Sequence, residues 1–164
     1  MSGDIRQILE ARARALGQRG ETAPAAVASL TVFKLRGQLY AARAEEVEGA
    51  GQLRDLSPVP GAPGWLLGAT LFRGSVLSLI DLPALWNVQA QGIRDLPSFV
   101  VLADRGRRLG VLVDQLLGNL ELEGALGAYE GPPRVGLAEL ARRDGEPLPV
   151  LSARALLADP RLNP

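Results

Sequence analysis

Leu71-Phe72-Arg73-Gly74-Ser75-Val76-Leu77-Ser78-Leu79-Ile80-Asp81-Leu82 reads as strand, turn, strand and helix cap in one unbroken passage. The apolar run Trp65 to Phe72 stops at Arg73-Gly74, a pair suited to a tight reversal, and Ser75 to Ile80 returns as a second strand. Asp81 then stands where a side-chain acceptor can satisfy the first free amides of a short helix, Leu82 to Trp86, an interaction of about 1 kcal/mol. Pro83 falls early in that helix, where a missing N–H costs little. The passage predicts a mainly β protein in which short capped helices follow the hairpins.

Upstream, Ser57-Pro58-Val59-Pro60-Gly61-Ala62-Pro63-Gly64 is a loop by composition. Ala42 to Asp55 is ambiguous; its alanines and glutamates around Val47 allow the start of a short helix. Leu30 to Leu35, the turn Arg36-Gly37 and Gln38 to Ala41 form a further hairpin. Before it, Asp4 to Gln18 places Ile5, Ile8, Leu9, Ala13 and Leu16 on one face of an amphipathic helix, and Gly20 to Ser29 reads as a linker. Downstream, Ser98 to Ala103 and Arg108 to Asp114 flank a turn at Asp104 to Arg107, and Leu116 to Leu122 is another strand. Val135 to Leu140, the turn Asp144-Gly145, Pro147 to Leu151 and a helix Ala153 to Leu157 capped by Ser152 complete the chain.

The second half echoes the first at an offset of about 70 residues: Gly37 against Gly106, Gly68 against Gly136, and Asp81 with its helix against Ser152 with its own. Two copies of one strand-rich module follow, each the size of a small SH3-like barrel and each too small to bury much alone. The expected organisation is an N-terminal helix and linker over residues 1–29, then a domain over 30–158. Within it a first barrel of four or five short strands covers about 30–88 and a second about 97–158, with elements free to cross between them.

Composition narrows the chemistry. Eighteen basic and eighteen acidic residues cancel, so no basic surplus exists to displace counterions from a nucleic acid. Without histidine or cysteine, the commonest zinc sites, the Ser-His-Asp and Cys-His systems and disulfides are excluded. No cofactor or metal is expected. No apolar stretch approaches the roughly 18 residues of a membrane span, so a cytoplasmic protein without membrane insertion is expected. Asp81 and Asp114 each follow an apolar strand and are the one pair that invites acid–base chemistry; that reading requires both to face one polar pocket between the modules. Tyr40, Trp65, Phe72 and Trp86 read as core and not as a ligand platform, with Trp86, near the end of its short helix, the first of them to suit an exception.

Several passages resemble the CheW-like family of chemotaxis coupling proteins. Phe33 to Tyr40 resembles its opening hairpin, and Val59 to Gly68 its proline–x–alanine–proline loop with following glycine. Leu71 to Leu82 is similar to its Asn-Leu-Arg-Gly, apolar strand and Asp-Leu, and Leu109 to Asp114 to its Gly-apolar-apolar-Val-Asp strand. The Ile8 to Leu16 helix looks like an extension found in some members. Two departures stand out: Leu71 and Phe72 replace the family's Asn and Leu, and Gly49 and Ala50 occupy places where an acidic residue and an isoleucine are common. The resemblance implies two five-stranded barrels and a non-enzymatic adaptor that couples a chemoreceptor's cytoplasmic tip to a CheA-type histidine kinase through the kinase's regulatory domain. It leaves open a surface-sensing or pilus-motility pathway, with a small carboxylate enzyme or ligand-binding barrel as the competing class. The expected partner-binding residues are Val47, Leu66, Leu67, Phe72 and Arg73, with strands around Val47 and Leu66 to Phe72 facing the kinase. Arg73 either forks to a partner's carboxylate or carbonyls, or ties down its own turn.

Overall fold

The computed structural model describes residues 27–88 and 97–162, so the expected helix Asp4 to Gln18 lies outside the described residues. In chain order the strands are β1 (Val27–Leu35), β2 (Gln38–Arg43), β3 (Val47–Gln52), β4 (Leu66–Phe72) and β5 (Ser75–Ile80). There follow β6 (Ser98–Asp104), β7 (Arg107–Val113), β8 (Gln115–Glu123), β9 (Gly127–Ala128), β10 (Leu137–Arg143) and β11 (Glu146–Leu151). Short helices α1 (Leu82–Leu85) and α2 (Ala153–Leu157) follow β5 and β11. The expected linker ends early, because Val27 to Ser29 already belong to β1.

The strands form a five-stranded sheet, β3-β6-β7-β5-β4, and a six-stranded sheet, β8-β1-β2-β11-β10-β9. With β9 set aside the two orders correspond strand for strand, including one parallel junction in each, β5 with β7 and β11 with β2. The hairpins are exchanged. β1–β2 joins β10–β11, and β6–β7 joins β4–β5, so neither sheet is confined to 30–88 or to 97–158.

Three apolar cores explain the exchange. Phe72, Leu77, Leu79, Phe99 and Val101 fill the five-stranded unit. Leu30, Val32, Ala41, Leu148 and Val150 fill the six-stranded one. Between the units lie Phe33, Leu35, Tyr40, Ile80, Val100, Val111, Leu151 and Leu156. A strand shared between an inner and a shared core is buried on both faces, which is why Phe99-Val100-Val101-Leu102 is a continuous buried run and not an alternating one. Each such side chain contributes roughly 1.5–3 kcal/mol by leaving water.

All four tight hairpins reverse on an X-Gly pair with both residues left-handed. Arg36, Arg73, Arg105 and Asp144 have φ of 50, 50, 51 and 51°, and the glycines that follow lie at 78–82°. That is the two-residue turn whose twist matches the flanking strands, and glycine takes its second position without steric cost.

At Ala42 to Asp55, which the sequence leaves ambiguous, the structure resolves a strand. A single 3₁₀ turn, Ala44–Glu46, leads into strand β3 and not into a helix. The inner face of β3 carries Gly49 and Gly51, and a phenyl ring lies against each. An ideal Cβ on Gly49 would sit 2.6 Å from Phe72 Cζ, and one on Gly51 2.9 Å from Phe99 Cζ. The two rings meet edge to face at 6.2 Å. Aromatic volume thus replaces the side chains this outer strand lacks.

Candidate functional site

Asp81 and Asp114 converge, but on a turn and not on a pocket. Asp81 Oδ1 accepts from the Ala84 amide at 3.3 Å, capping α1, and its carboxylate pairs with Arg36 at 3.2 Å. Asp114 accepts from the Gly37 amide at 2.9 Å. Both acids therefore clamp the Arg36-Gly37 turn of the six-stranded unit onto the five-stranded one. Among the described residues no group of three His, Cys, Asp or Glu side chains is placed to hold a metal. Trp86 is half-buried against the core between the units: its Nε1 donates to the Val135 carbonyl at 2.8 Å, with Arg134 over its ring at 5.1 Å.

The residues expected to bind partners do not share one surface. Val47 pairs with Leu102, and it and Leu66 are half-buried against the core between the units. Leu67 packs against the inner core of the five-stranded unit, and Phe72 is only 8% exposed. Arg73 alone is open to solvent, at the β4–β5 turn with its guanidinium 4.8 Å above the Phe72 ring. Phe72, Arg73 and Gly49 lie against one another, while Val47 and Leu66 pack on the core between the units.

The two most exposed large apolar side chains among the described residues are not in the expected partner-binding set. Leu71 and Val76 are cross-strand partners, 70% and 74% exposed. Alternation along β4 held the signal, since Thr70 and Phe72 point inward and Leu71 must point out. They border a groove of about 360 Å³ that also takes in Gln52, Arg54 and Ser57. β4 is an outer strand, and on its free side only Ala69 is paired, to Ser57, among the described residues. Because Ala69 N–H and C=O point outward to Ser57, those of Leu71 point the same way. The hairpin therefore ends in an open strand edge, two exposed apolar side chains and a cation.

A CheW-like domain model matches residues 29–161, most of the chain. The chain belongs to the CheW-like family. Among solved structures, the CheW-like fold is matched by the scaffolding protein TtCheW from Thermoanaerobacter tengcongensis. The TM-score is 0.70 at 16% identity, over 77% of this chain and 90% of that one. No curated protein matches significantly. The CheW-like family is one of chemotaxis scaffolds and adaptors, not of enzymes. No helix among the described residues is long and apolar enough to cross a membrane.

Proposed function

We propose that this CheW-like chain is a non-catalytic adaptor joining the regulatory domain of a CheA-type kinase to the cytoplasmic tip of a chemoreceptor. The observation that supports the reading is the open edge of β4 with Leu71 and Val76 beside it. A soluble chain that leaves a paired leucine and valine in water next to unpaired backbone carries a ready surface for another protein. A similar barrel on the kinase can add its own edge there, with main-chain hydrogen bonds giving affinity and the two apolar groups giving the buried centre. Val47, Leu66, Leu67 and Phe72 then act from beneath, by holding the strand, while Leu71, Val76 and Arg73 make the contact.

An apolar anchor truncated at such a centre costs about 2 kcal/mol, roughly thirtyfold in affinity. Calorimetric titration of the kinase regulatory domain into wild type, Leu71→Asp and Val76→Asp tests this. Both substitutions lie on exposed positions, so the fold should survive them. Loss of binding in both variants is the expected result; unchanged binding removes the β4–β5 hairpin from the interface.

A further inference from the structure

We infer that Arg73 is the specificity-determining residue of this surface, and that it selects a kinase regulatory domain carrying an aspartate or glutamate, because no described residue supplies an acid to it and Gly49 beside it leaves no room for one. The inference rests on the adaptor reading above and goes beyond it by naming the partner's chemistry.

The position nearest the guanidinium on the facing strand is Gly49. A Cβ built there would lie 3.3 Å from Arg73 Nη2 and 2.6 Å from Phe72 Cζ, so no side chain fits while the ring stays where it is. The adjacent acid on β3, Glu48, is engaged elsewhere, pairing with Arg108 at 3.2 Å. Among the described residues Arg73 makes neither an ion pair nor a side-chain hydrogen bond; its one contact of note is the face of the Phe72 ring.

That contact sets the direction of approach. A guanidinium lying on an aromatic face spends its π surface on the ring and keeps its N–H donors, which point outward in its plane, for another group. A carboxylate is the acceptor whose spacing matches two of those donors at once. Leu71 and Val76 stand at the same end of the hairpin, and the Leu71 backbone faces outward from the strand edge. The matching occupant is a protein segment presenting an acid next to apolar side chains. Phe72 is here a positioning residue: it holds the cation and keeps position 49 empty.

The test is titration of the kinase regulatory domain into wild type, Arg73→Gln and Arg73→Lys at low and moderate salt, with the receptor tip titrated in parallel. Arg73→Gln should weaken kinase binding at least tenfold and flatten its salt dependence, while Arg73→Lys should keep the salt dependence and lose less affinity. The pair Gly49→Glu with Phe72→Leu, which opens space for an internal carboxylate, should weaken binding as Arg73→Gln does while circular dichroism reports an intact fold. Wild-type binding that Arg73→Gln leaves within twofold, with the same salt dependence, overturns the inference and leaves the adaptor reading standing. Sensitivity of the receptor tip alone overturns the choice of the kinase. If wild type binds neither protein, the adaptor reading fails and takes this inference with it.

Discussion

Gly49→Ala should destabilise the wild-type chain and stabilise a chain that carries Phe72→Leu. The added methyl meets Phe72 Cζ at 2.6 Å, well inside contact distance, and Arg73 Nη2 at 3.3 Å. The ring has little freedom to retreat, because it is buried, meets Phe99 at 6.2 Å and lies under the Arg73 guanidinium. Overpacking of this kind costs about 1–3 kcal/mol. Against it stands the reduced freedom of alanine in the unfolded chain, a gain of about 0.4–1 kcal/mol. The net loss is therefore about 1–2 kcal/mol, or roughly 3–8 °C in Tm for a domain of this size. Leucine at position 72 lacks the distal ring atoms, so the clash disappears and only the alanine gain remains. Denaturant unfolding of the four proteins in the cycle gives the coupling directly. A Gly49→Ala effect of the same sign and size in both backgrounds, within about 0.5 kcal/mol, would refute the claim that ring and glycine are complementary.

Other consequences follow from the same geometry. Asp81→Ala removes both the α1 cap and the Arg36 pair, so urea unfolding should show a loss of about 2–3 kcal/mol, with Asp81→Asn recovering part of it through the retained acceptor. Gly68→Ala should cost 2 kcal/mol or more, since φ is 146° and the new methyl would strike the Ser57 carbonyl, breaking the one pairing on the outer side of β4; chemical denaturation measures it. Burial, the larger influence, holds the Glu46 carboxyl above its ordinary range, against the Ala153 amide that donates to it at 2.9 Å. A carboxyl raised in the folded state contributes its stability in full below the unfolded value and loses it as pH rises through the folded one. Glu46→Gln, which keeps the acceptor, should therefore gain Tm on wild type as pH rises from about 4 to about 7 in thermal melts; a constant gap would contradict the assignment.

The turns and caps were open to reading because their chemistry is local. The Arg-Gly and Asp-Gly pairs favour a two-residue reversal between apolar runs, and Asp81 and Ser152 do cap α1 and α2, Ser152 through the Ala155 amide at 3.1 Å. β3 is ambiguous in the sequence for a physical reason: alternation is carried by side chains, and its inward positions 49 and 51 have none. β9 is two residues long and carries no pattern at all. The hairpin exchange is equally silent, since the apolar faces of β1–β2 and β6–β7 suit either copy of the repeat and only the shared core decides between them. At the surface, strand parity sends Phe72 inward and its neighbour Leu71 out. Arg73 was legible as a candidate, but its lack of an acidic partner among the described residues turns on Gly49, which is distant in sequence and adjacent only after folding.

The most direct test of bridging uses an immobilised receptor cytoplasmic tip, washed with the CheA-type kinase in the presence or absence of this chain. Retention of the kinase only when the chain is added, and its loss when the added chain carries Leu71→Asp and Val76→Asp, is the predicted result. Kinase held equally well without the chain, or a chain that binds neither protein, would contradict it.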